Sequence, residues 1–316
     1  MKDKKSWNAD FKIPEAVLTT LSTKWPAARL HVSNFERNER DPGGPIPLDI
    51  PLLSSPQLYS LKFTVCGSWN NQPLKINNCY SEFAALSNCL VKGGALKQLS
   101  LRTHMFPQKQ DCWEAGPNNL QFLPGSVFPP LEELSLPHEK YRLSKGHFDQ
   151  WLVTMDWGHL RRLDIRRGCP QHLFVALTGR VPQLKSITFG FWYPRRSFEL
   201  GFVDLEIIRR FFDSTQGLEE IVVESFRMHY FDSIKDQIFD KHGRTLRKVH
   251  VDYSMPGNEG WKCEVVQKLV DQCPGLRHLA LMAAMEVENS VGTSSSRRIL
   301  PGHAQEKHIS TVWVGL

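Results

Sequence analysis

The sequence predicts an α/β solenoid, with short parallel strands lining a concave sheet and helices packed along the convex side. Three observations carry this prediction. A hexapeptide of the form L-x-x-[LIV]-x-[LIVF] recurs in one register from Leu58 to Leu281. Segments with helical apolar spacing separate the copies. Glycines stand just before the chain returns to the next leucine.

The copies read LYSLKF from Leu58, LKQLSL from Leu96, LEELSL from Leu131 and LRRLDI from Leu160. They continue as LKSITF from Leu184, LEEIVV from Leu218, LRKVHV from Leu246 and LRHLAL from Leu276, with a weaker first copy, AARLHV, from Ala27. Apolar fourth and sixth positions alternate with mostly polar third and fifth ones, the period of a half-buried strand. The leading leucine tucks beneath the strand from the incoming turn. The steps average about 31 residues, just above the leucine-rich range. The units therefore read as an irregular leucine-rich-repeat solenoid, horseshoe-like, with a parallel sheet inside and helices outside.

The intervening helices follow from side chains on one face. These are Phe83, Leu86 and Leu90; Phe148, Leu152 and Met155; Leu205, Ile208 and Phe212; Phe231, Ile234 and Ile238; and Cys263, Val266 and Val270. Trp151 and Trp157 neighbour these positions and read as packing. Gly94, Gly158, Gly217, Gly243 and Gly275 stand where a helix end takes a left-handed residue, which glycine reaches without steric cost. Three regions follow: an extension over 1–24, the repeats over 25–285, and a structureless tail over 286–316 poor in apolar residues. The extension holds one helix, Ile13 to Leu21, opened by Pro14 and Glu15. Asp41 to Pro56, with five prolines and two glycines, reads as an irregular loop.

Of 316 residues, 41 % are hydrophobic and 23 % charged, a globular composition. The formal charge of +6 is scattered rather than gathered into one run, which disfavours nucleic acid as the partner. The seven cysteines show no CxxC spacing and read as reduced, structural thiols of an intracellular protein. The charged opening MKDKKSWNADFKIPE is not a signal peptide, and no window approaches eighteen apolar residues. The expected location is cytoplasmic or nuclear, with no membrane contact.

The phrases FPPLEELSLP (Phe128 to Pro137), DWGHLRRLDI (Asp156 to Ile165) and LTGRVPQLKSITFGF (Leu177 to Phe191) carry a resemblance. From roughly Trp25 to Leu281 the chain resembles fungal F-box-type leucine-rich-repeat proteins. The resemblance implies a substrate receptor that hands a bound protein to a cullin-RING ubiquitin ligase through an adaptor. The single helix over Ile13 to Leu21 does not amount to a three-helix F-box.

No dinucleotide, P-loop, zinc-protease or nucleophile-elbow motif occurs, so neither enzyme chemistry nor a cofactor is expected. The dispersed histidines read as exposed or locally bonded rather than as metal ligands. In a stacked parallel sheet, Glu132 and Glu133 stand beside Arg161 and Arg162. Glu219 and Glu220 stand between Lys185 on one side and Arg247 and Lys248 on the other. This alternation either neutralises the concave face or sets a partner's register.

The candidate partner-binding residues include Arg161, Arg162 and Lys248 on the strands. The loop edge adds Phe191, Trp192, Tyr193, Arg195 and Arg196, with Phe226, Arg227, Tyr230 and Tyr253 nearby. Aromatic and arginine side chains of this kind dominate protein interfaces. The expected function is a protein-interaction scaffold whose partner and oligomeric state the repeats do not encode. The alternatives are nucleic-acid binding through the concave cations, and an enzyme with an unrecognised pocket.

Overall fold

The leading leucine of each hexapeptide turns into the core, and the residues after it extend into a strand. The computed structural model describes residues 13–36, 49–66, 77–104, 119–136, 145–166, 171–190, 204–225, 228–253, 261, 263–282 and 311–315. Nine strands lie parallel in one sheet, in sequence order. They are β1 (Leu30–Glu36), β2 (Leu58–Cys66), β3 (Gln98–His104), β4 (Glu133–Ser135), β5 (Arg162–Arg166), β6 (Ser186–Gly190), β7 (Glu220–Ser225), β8 (Lys248–Tyr253) and β9 (His278–Met282). A tenth, β10 (Thr311–Gly315), runs antiparallel to β9. It departs from the structureless tail expected over 286–316; residues 283–310 lie outside the described set.

The helices are α1 (Glu15–Lys24), α2 (Ile50–Leu53), α3 (Asn77–Lys92), α4 (Lys145–Thr154), α5 (Gln171–Leu177), α6 (Leu205–Ser214), α7 (Met228–His242) and α8 (Cys263–Gln272). From α4 to α8 each packs on its sequence neighbours. This is an α/β fold of solenoid-like construction: each unit touches the units before and after it.

The core lies between one face of the sheet and the helices. The first-position leucines Leu58, Leu96, Leu131, Leu160, Leu184, Leu218, Leu246 and Leu276 are all buried. Fourth positions form a continuous row across the sheet: Leu61, Leu99, Leu134, Leu163, Ile187, Ile221, Val249 and Leu279 are register partners in turn. The helices answer with Phe83, Leu86 and Leu90, then Phe148 and Trp151, then Ile208, Phe211 and Phe212, then Phe231, Ile234 and Ile238.

Several expectations require correction. AARLHV would align Leu30 with Leu61, but Leu30 is the partner of Leu58 and Val32 that of Leu61, with one register shift between Leu30 and His31 and another after Val32. The stretch 41–56 is not loop throughout: α2 forms within it, its first turn capped by Asp49, whose carboxylate accepts from the Leu52 N–H at 3.2 Å. Helix α5 is too short to show a helical period in the sequence, yet Leu173, Phe174 and Leu177 are buried. In α8 the deepest side chain is Leu269, with Val266 and Val270 only half-buried.

The glycines divide by role. Gly94 and Gly217 do adopt positive φ, at 56° and 64°. Gly243 has no positive φ; a Cβ there would collide with the backbone oxygens of Gln272 and Phe239. Close approach of α7 to α8, not chain reversal, requires that glycine.

The segment that leads into β4 is irregular. Residues 119–132 form no helix, and Leu120, Phe122 and Phe128 fill the layer instead. Phe122 and Phe128 meet Trp151 at 5.6 and 6.3 Å between ring centroids. Trp157 meets the same ring at 5.5 Å and donates its indole N–H to the Trp151 carbonyl at 3.3 Å. His147 completes the cluster, stacked at 13° on Phe122. Desolvation pulls its imidazole down to about 4.

Two outcomes follow from this core. Leu163→Ala should cost about 2–5 kcal/mol in denaturant unfolding, because the cavity opens between Leu134 and Ile187; a loss below about 1 kcal/mol would contradict the observed register. For His147 the folded-state value lies below the unfolded one, so the unfolded chain binds the proton first. Its contribution, at most about 3 kcal/mol, is complete above pH ~6.5 and is lost as pH falls towards ~4. Stability measured across that window should fall less steeply in His147→Phe, and an unchanged slope would show that another group is responsible.

Candidate concave binding face

Alternation along each strand turns the third and fifth positions away from the core, and stacking arranges them in rows. One row runs Ser60, Gln98, Glu133, Arg162, Ser186, Glu220, Lys248 and His278. The next runs Lys62, Ser100, Ser135, Asp164, Thr188, Val222, His250 and Ala280. Adjacent strands stand about 4.8 Å apart, so every side chain has a neighbour on each side within reach of a hydrogen bond or ion pair.

The polar side chains link across the strands. Gln98 donates its amide to Glu133 at 3.0 Å, and Ser135 donates to Asp164 at 3.1 Å. Ser186 donates to Glu220 Oε2 at 3.1 Å, and Arg162 reaches past that small serine to the same oxygen at 3.8 Å. One position earlier, Lys185 lies 3.6 Å from Glu219 and donates to the Gly217 carbonyl at 3.1 Å. Both glutamates thus lean towards β5 and β6. Glu133 and Arg162 are register partners as the sequence predicts, and so are Glu220 and Lys248.

At the middle of the sheet Asp164 and Arg166 form the least relaxed point of this face. The strand bulges between Asp164 and Arg166 against β6, and Arg166 takes a φ of 34°. That is the left-handed region, costly for a residue with a Cβ. Its guanidinium Nε sits 3.5 Å from Asp164 Oδ2. The other carboxylate oxygen, Oδ1, is buried and has no hydrogen-bond partner among the described residues. Hydrophobic periodicity shows only that Asp164 faces outward; neither the bulge nor the open acceptor leaves a mark in composition or spacing.

The residues singled out from the sequence fall in three groups. Arg161 and Arg162 are exposed and adjacent at the start of β5, and Lys248 is half-buried at the start of β8. Tyr230 is half-buried on α7 and packs against the core, while Tyr253 closes β8. Phe191, Trp192, Tyr193, Arg195, Arg196, Phe226 and Arg227 lie outside the described residues.

At the N-terminal end of the face Arg29 stacks over the Tyr59 ring at 4.3 Å, with His31 5.4 Å away on the same ring. Among the described residues no group of His, Cys, Asp and Glu is arranged to hold a metal, and no helix is long and apolar enough to cross a membrane. His242 is buried, its Nε2 3.1 Å from the Phe212 carbonyl, and desolvation lowers its basicity. Cys89 and Cys273 are free, buried thiols. In comparisons with known proteins, no family model and no curated protein matches this chain.

The Arg162–Glu220 pair is 54 % and 35 % exposed, so solvent screens it. A double-mutant cycle on the two should return a coupling below about 1 kcal/mol; a larger value would mean that the ladder is part of the folding core.

Proposed function

We propose that this protein is a leucine-rich-repeat-type scaffold that binds a partner protein on its concave face. The reading is supported above all by the Asp164–Arg166 site. There a buried carboxylate oxygen without a hydrogen-bond partner stands beside a strained arginine, at the centre of an otherwise cross-linked polar ladder. An acceptor buried without a partner costs about 1–3 kcal/mol, and a donor from a bound chain would remove that cost once the side chains covering it move aside. The rows around it repeat at the strand spacing, a surface on which an extended segment finds several polar partners at once.

The more specific form, a substrate receptor of a cullin-RING ubiquitin ligase, draws on the resemblance of the repeats alone. Nucleic-acid binding is the weaker reading, because Arg162 and Lys185 already face carboxylates.

Affinity capture with the whole chain from a fungal-type extract tests the scaffold. A partner retained by the wild type should be lost from Asp164→Ala and from Thr188→Arg, which crowds the middle of the face. It should be kept by Val153→Arg on the solvent side of α4. The reverse pattern would move binding to the convex helices. Adaptor and cullin subunits in the eluate would support the receptor form, and their absence would leave the plain scaffold.

A further inference from the structure

The concave ladder stops being neutral at its C-terminal end. Arg247 and Arg277 occupy equivalent positions on neighbouring strands, the Arg277 N–H donating to the Arg247 carbonyl at 2.8 Å. Lys248 and His278, the residues that follow, are register partners. Four cationic or protonatable residues therefore gather at the starts of β8 and β9, Arg247 and Arg277 in one row and Lys248 and His278 in the next. Arg247, Arg277 and His278 are exposed, and Lys248 is half-buried. Exposed Arg244 belongs to the turn just before, its backbone close against Gly275.

The acids that could neutralise this array are engaged elsewhere. Glu219 faces Lys185, and Glu220 faces Ser186 and Arg162. On the neighbouring helices Asp236 pairs with Lys268, Asp240 accepts from Gln272 and Asp271 accepts from Gln267. Among the described residues no carboxylate lies within ion-pair distance of Arg247, Lys248 or Arg277. The two glutamates expected from the sequence to neutralise Arg247 and Lys248 lean the other way.

We infer that the starts of β8 and β9 form a docking site for an acidic peptide segment of the partner, centred on Arg247, Lys248 and Arg277. The inference rests on the scaffold reading and adds the chemistry of what is bound. The shape of the charge favours a peptide over a polynucleotide. Two strands and their incoming turn span about 10 Å, which matches three residues of an extended chain. Beyond that width the charge changes sign: Glu220 borders the array on β7, and Asp252 stands four residues further along β8. A nucleic-acid backbone, charged about every 3.4 Å along each strand, would run from the cations onto those carboxylates. A short acidic run flanked by neutral or basic residues would not. The two arginines each offer a planar fork that grips one carboxylate at two points.

The test is fluorescence anisotropy with the full chain and a labelled ten-residue Glu/Asp peptide, its Gln/Asn counterpart and an oligonucleotide of equal charge. The wild type should bind the acidic peptide, more weakly as salt rises, and should ignore the amide peptide. Arg247→Ala/Lys248→Ala/Arg277→Ala should weaken binding at least tenfold. Arg162→Ala/Lys185→Ala, whose cations already face carboxylates, should stay within twofold. Arg247→Gln/Arg277→Gln, which keeps the side-chain length, should reproduce the loss should the triple variant fold poorly. The inference is overturned by equal binding in these variants, by no peptide binding at all, or by tighter binding of the oligonucleotide. A captured partner that the triple variant keeps but Asp164→Ala loses would reject this site while leaving the scaffold intact.

Discussion

A single strand–helix unit of this chain cannot cover its own leucines. The leading leucine and the fourth and sixth strand residues point into a layer only one unit thick, and the side chains closing that layer come partly from the units on either side. Phe174, from one unit, meets Phe211 of the next at 4.9 Å and Phe189 beneath it at 5.8 Å. Burial therefore couples neighbours, and the parallel backbone ladder is the geometry that lets identical rows meet their counterparts. The variable linkers, the irregular 119–132 segment and the half-buried face of α8 are tolerated because none of them interrupts the row Leu61 to Leu279.

That constraint explains what could be read in advance. Period-two alternation anchored by a leucine identified eight strands in the correct register, since a slip of one residue would turn every leucine to solvent. The first strand was misplaced because Leu30 and Val32 satisfy the same pattern in either alignment, and only the pairing of Leu30 with Leu58 decides between them. Helix α5 escaped notice for the opposite reason: seven residues cannot display two turns of periodicity. Asp49 in a proline-rich stretch is an ordinary helix cap, legible only once the short helix after it is known.

The concave face was legible in outline but not in detail. Sequence spacing set glutamates beside cations, and the strands pair them accordingly. Side-chain direction was beyond its reach: small Ser186 lets Arg162 span two strands to Glu220, which turns the glutamate away from Lys248. Neutralisation in the middle and surplus charge at one end come from the lean of Glu220 and, beside it, of Glu219. The bulge at Arg166 is likewise a tertiary feature, since nothing in RLDIR marks a left-handed residue.

The reversed direction of β10 has a consequence for how these molecules meet one another. A stack of parallel units ends in an edge whose amides and carbonyls match the first strand of any other copy, so two chains could join end to end and go on joining. An antiparallel strand laid on β9 changes the hydrogen-bond pattern at that edge from evenly slanted to alternately wide and narrow. A second copy arriving with its own β1 in the direction of the stack would run antiparallel to β10, so that join could not repeat the parallel ladder that holds the units together.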